Sequence, residues 1–123
     1  MSGTCYEIHG VRIYECERDG AHPRSDGDAV ELVSEAWGHR AQLVVIPAER
    51  LGDDFFDLKT RIAGEILQKF VTYHMRVAIL GDISRYVATS LALRDFVYES
   101  NRGRHIWFVE NIEELGQLIL RAS

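Results

Sequence analysis

Apolar and polar positions change period several times along the chain, and each change marks a predicted element. Residues 4–8 and 11–16 alternate as strands do, with His9-Gly10 between them as a tight turn. That turn pairs Ile8 with Val11, Tyr6 with Ile13 and Cys5 with Tyr14. Polar residues 17–25, with Gly20 and Pro23, form a loop. Ala29, Val30, Leu32, Val33, Ala36 and Trp37 then fall on one helical stripe; Ser25 or Asp26 caps the start and Gly38 stops the helix. The apolar run 41–46, closed by Pro47, reads as a strand buried on both faces. After a loop over 48–54, Leu58, Ile62, Ile66 and Phe70 recur every four residues and predict a helix over 57–71. Arg61, Glu65 and Lys69 line another face of it. A buried strand follows at 76–80, then a helix from Thr89 or Ser90 to Ser100, with Gly103 just beyond, and a strand at 104–109. Asn111 with Glu114 makes a capping-box-like start for the last helix.

Strands alternating with helices demand parallel pairing and right-handed crossovers, while the opening hairpin adds one antiparallel strand. The expectation is one α/β domain over 1–123, with a five-stranded mixed sheet and about four helices. Its length suits a single domain able to bury a core without metals or disulfides. No apolar run approaches the ~18 residues of a membrane span, and the start has no signal-peptide core. A net charge of −5 argues against a nucleic-acid-binding surface dominated by phosphate contacts, although a local basic patch survives that sum. Cys5 and Cys16 sit diagonally across the hairpin, too far apart to bridge without distortion, so two reduced thiols and a cytoplasmic location are expected.

The runs Phe55-Phe56-Asp57-Leu58-Lys59-Thr60 and Ala63-Gly64-Glu65-Ile66-Leu67-Gln68-Lys69-Phe70 stand out. So do Gly81-Asp82-Ile83-Ser84, Leu93-Arg94-Asp95-Phe96 and Glu99-Ser100-Asn101-Arg102-Gly103. Together they resemble a bacterial family, domain of unknown function 4180, from about residue 28 onward. That resemblance implies no particular activity. The element order also resembles the STAS-like layout of anti-sigma-factor antagonists, which implies a partner-switching module controlled by a phosphorylated serine at the start of the second helix. Here Lys59 stands at that place, and Thr60 is the neighbouring hydroxyl, which departs from the pattern.

Two polar clusters can carry a ligand or a partner. In open α/β sheets ligands lie beyond the carboxyl ends of the parallel strands, where Asp82, Ser84 and Arg85 can hold a polar or anionic group. The same Asp82 and Ser84 equally form a turn in which side-chain oxygens cap backbone amides. At the opposite pole, Glu65, Lys69, Glu99, Asn101, Arg102 and His105 can gather between helix ends. There too a structural role competes, with Gly103 or Asn101 as a left-handed cap and Arg102 answering the helix dipole.

Catalytic patterns are missing. There is no phosphate loop or dinucleotide glycine pattern, no metal-ligand spacing among the five histidines, and no serine elbow. Trp37 and Trp107 read as core or interface anchors, and Phe55-Phe56 as the dock of the second helix. The leading expectation is a non-catalytic regulatory or binding module without cofactor or metal, acting through a protein partner or as a homodimer. The alternative is a small enzyme or small-molecule-binding protein that uses a charged pocket at a sheet edge. Nucleic acid and membrane are not expected partners.

Overall fold

A computed structural model describes residues 3–123. Strands β1 (Gly3–Ile8) and β2 (Val11–Cys16) form the antiparallel hairpin in the register that the turn predicts. His9 and Gly10 both take positive φ, 49° and 84°, as the tightest two-residue hairpin turns require. Ser25 accepts from the Asp28 amide and opens α1 (Asp26–Gly38), which leads to the wholly buried β3 (Leu43–Pro47).

The segment after β3 departs from expectation. Residues 48–54 are not an open loop but carry two single-turn helices, α2 (Ala48–Leu51) and α3 (Asp53–Phe56). A 3₁₀ turn (Leu58–Thr60) follows, and α4 (Ile62–Thr72) begins five residues later than the apolar spacing suggests. Local side-chain bonds explain the delay. Asp57 accepts from the Lys59 amide, Thr60 Oγ1 lies 2.8 Å from the carbonyls of Asp54 and Asp57, and Arg61 turns left-handed at φ 64°. These bonds compete with helix propagation and win. Lys59 and Thr60 therefore lie ahead of α4, not on it.

Next come β4 (Arg76–Leu80), the short α5 (Ser84–Val87), α6 (Leu91–Arg102) opened by Ser90, β5 (Ile106–Val109) and α7 (Ile112–Ala122) opened by Asn111. Seven α-helices are present among the described residues, and the four long ones are the four expected. The sheet order is β1-β2-β3-β4-β5, with β2 to β5 parallel. Crossovers of one hand that all step the same way must lay their helices on one face. Accordingly α1, α4 and α6 pack on Tyr14, Val44, Ile46, Val77, Ile79 and Phe108. Leu115 and Ile119 of α7 cover the other face against Ile13, Leu43, Val45, Ala78 and Trp107. No charged or polar residue is buried among the described residues.

The helix ends differ from the sequence-based expectation. Gly38 is the last residue of α1 rather than its stop signal; Arg40 takes the left-handed position at φ 60°. The Ala41 amide bonds the Ala36 carbonyl and the Arg40 amide bonds that of Trp37, which is a Schellman motif. The end of α4 repeats it, with Met75 bonding Phe70, His74 bonding Val71, and His74 at φ 57°. Trp37 is not on the buried stripe: it is 50% exposed and meets the Tyr73 ring edge-on at 5.6 Å. Neither Gly103 (φ −88°) nor Asn101, inside α6, is a left-handed cap.

Candidate functional site

The strand order decides first what the carboxyl rim can offer. Ligand crevices open in doubly wound sheets where the strand order reverses and adjacent crossovers part to opposite faces. This order never reverses, so that geometric source of a crevice is missing. The residues there are also arranged differently from the expectation. Asp82 Oδ1 accepts from the Ser84 amide at 2.9 Å, and these bonds from Ser84 lower the Asp82 pKa. Asp82 and Ser84 thus form a turn.

Arg85 leaves them and bonds Asp53 Oδ1 at 3.0 Å, while the Tyr86 hydroxyl donates to the same oxygen. The Arg85 guanidinium lies 4.5 Å over the Tyr86 ring, which stacks on Phe56 at 4.4 Å. Partial burial raises the Tyr86 pKa, and the bond to Asp53 adds to it. Beside this group is an open cavity of about 420 Å³ lined by Asp53, Asp54, Asp57, Lys59, Tyr86 and Ser90 among others. No sequence signal points to the pairing of Asp53 with Tyr86, because it spans 33 positions and depends on α3 meeting α5.

The second predicted cluster does not assemble. Lys69 reaches Asp26, at the start of α1, at 4.0 Å, not Glu65. Glu65 is exposed in the groove between α4 and α6, beside Phe96. Glu99 and Arg102 pair with each other at 4.0 Å, and Arg102 lies over Tyr98. His105 Nε2 contacts the Phe70 carbonyl at 3.1 Å. Asn101 serves the fold instead. Its amide donates to the Phe108 carbonyl at 3.1 Å and its oxygen accepts from the Phe108 amide at 2.7 Å. In that way it pairs the open edge of β5.

What this amino-terminal rim does hold is unneutralised positive charge. Strands β2 to β5 begin there, and α1, α4, α6 and α7 all end there. Arg12, Arg40, Arg76, Arg102, Arg104 and Arg121 sit at or near these ends, against Glu7, Glu35 and Glu99. Four helix C-termini contribute about −0.5 charge each. Together with the three carboxylates they offset roughly five of the six positive charges, leaving a small positive excess. Only Arg102 of the six has an ion-pair partner among the described residues. In the middle of this rim stands the exposed Trp37–Tyr73 pair, flanked by Arg40 and His74 in their left-handed conformations. The carboxyl rim gathers Asp53, Asp54, Asp57, Asp82, Glu110 and Glu113 at or near strand ends, with Asp54 and Asp53 paired to Arg24 and Arg85.

Residues 8–119 match the family described as a domain of unknown function, DUF4180. The chain belongs to that family. No curated protein and no solved structure matches it. The runs that carry the resemblance lie in α3, α4, the β4–α5 turn and α6 of this DUF4180 domain, so they include both the core of one layer and parts of both rims. No helix of the described residues is long and apolar enough to cross a membrane. Cys5 and Cys16 are free thiols, and burial pushes the Cys16 thiol up to about 12.

Proposed function

We propose that this DUF4180 domain is a non-catalytic, STAS-like binding module that docks an acidic face of a protein partner on its amino-terminal rim. The observation that carries this reading is the exposed Trp37–Tyr73 pair set among arginines without carboxylate partners. Exposed aromatics beside arginine are the residue types that anchor protein interfaces, and an acidic partner supplies the missing counter-charge. A second copy of the chain qualifies through its own acidic carboxyl rim. Two free cysteines suit a reducing, cytoplasmic setting.

Poly-L-glutamate is the probe, read by calorimetric titration at low and physiological salt. Trp37→Ala is expected to weaken binding about tenfold, the size of an interface anchor. Arg40→Gly removes one charge while relieving its backbone, so a loss of about two- to fivefold there is not due to unfolding. Equal binding by wild type and both variants overturns the reading. Concentration-dependent sedimentation, abolished by Trp37→Ala, identifies the second copy as the partner.

The cavity beside Asp53 and Tyr86 favours a second reading, a small-molecule site at the carboxyl rim. Ligand binding or turnover lost on Asp53→Ala and kept on Trp37→Ala establishes it instead.

A further inference from the structure

Within the positive rim one arginine is unlike the others. Arg76 opens β4 on the α7 side of the sheet and is half-buried, with its guanidinium 5.9 Å from the centre of the Trp107 ring. It has no carboxylate partner among the described residues. Guanidinium groups removed from water in this way are ordinarily paired. The indole that backs it donates through Nε1 to the Gly103 carbonyl at 3.0 Å, and Arg121 Nη2 donates to the same oxygen at 2.6 Å. Trp107 thereby links Arg76 and Arg121, from β4 and α7, while Arg104 follows Gly103 directly and is exposed without an ion pair. Two cations held at one indole, one of them half-buried and neither with a carboxylate partner, match a dianion better than a single carboxylate.

We propose that Arg76 and Arg121, joined through Trp107, form a subsite for a phosphate monoester at the amino-terminal rim, carried by the docked partner. This rests on the binding-module reading for its source of phosphate, but the subsite itself can be tested without it. Inorganic phosphate and a glutamate-flanked phosphoserine peptide are the probes, with the unphosphorylated peptide as control.

The phosphopeptide is expected to bind at least tenfold more tightly than its control. Arg76→Gln is expected to erase that difference while weakening poly-L-glutamate binding no more than Arg40→Gly does, about two- to fivefold, and Arg76→Lys to restore part of it. Arg121→Gln, checked for an unchanged far-ultraviolet spectrum, is expected to act as Arg76→Gln does. If both peptides bind alike but inorganic phosphate raises the melting temperature in wild type and not in Arg76→Gln, the subsite stands and serves a free phosphorylated molecule. Equal responses of wild type and Arg76→Gln to both phosphate probes overturn the subsite, whereas loss of poly-L-glutamate binding in Trp37→Ala bears only on the docking face.

Discussion

Asn101 is the position where a binding role and a structural role make the most divergent expectations. Its side chain makes both hydrogen bonds that a neighbouring strand would have given Phe108, one at 2.7 Å and one at 3.1 Å. Phe108 is buried in the layer under α6, so water reaches its backbone poorly after truncation. Each neutral hydrogen bond contributes about 1 kcal/mol, and leaving a buried partner unmade adds to the loss. Asn101→Ala is therefore expected to destabilise the domain by about 2–3 kcal/mol. For a domain of this size that lowers the melting temperature by roughly 10 °C. Urea unfolding followed by far-ultraviolet circular dichroism measures it as a drop in midpoint at unchanged slope. Arg102→Ala, next in sequence, serves as the contrast, because its pair with Glu99 is exposed and worth at most about 0.5 kcal/mol. A midpoint for Asn101→Ala within about 0.5 kcal/mol of wild type refutes the edge-pairing role and returns Asn101 to the candidate binding residues.

Other outcomes follow from the helix ends, the thiols and the carboxyl rim. Arg40→Gly and His74→Gly are each expected to stabilise the domain by about 0.5–1 kcal/mol, since a left-handed backbone penalises any residue with a Cβ; a lower urea midpoint in either shows that its side chain makes an unrecognised contact. Burial raises the folded-state Cys16 pKa from 9.0 to about 12, so its contribution to stability is complete below pH 9.0 and is lost as the pH rises toward 12. That loss is about 1.4 kcal/mol per pH unit across the window. Wild type should thus decline more steeply than Cys16→Ala when urea midpoints are compared over that window, and parallel profiles contradict the burial argument. Asp53→Asn is expected to lower the Tyr86 pKa in an ultraviolet titration, because the carboxylate that opposes phenolate formation is gone, while stability changes by less than about 1 kcal/mol for so exposed a group. A destabilisation well beyond that means the Asp53–Arg85–Tyr86 group clamps α3 to α5.

Hydropathy period is enough to place the five strands and the four long helices, the His9-Gly10 turn sets the hairpin register, and capping residues narrow three helix starts to Ser25 or Asp26, Thr89 or Ser90, and Asn111. Strands such as Leu43–Pro47 are buried on both faces, and that burial writes itself into an unbroken apolar run. Where local polar chemistry opposes the period, the period misleads. Asp57, Thr60 and Arg61 hold back α4, and Arg40 and His74 accept left-handed backbones that sequence rules assign to glycine. The two rims mark the limit of what a linear chain shows. The Asp53–Tyr86 bond spans 33 positions, Arg121 meets the Gly103 carbonyl across 18, and Asn101 reaches Phe108 over the outer edge of the sheet. None of these has a periodic signature, because a side chain at an element's end is free of the packing that imposes period. The positive face is a property of direction, created when parallel strands and antiparallel helices bring six scattered arginines to one end. Only the closed tertiary structure adds those charges together.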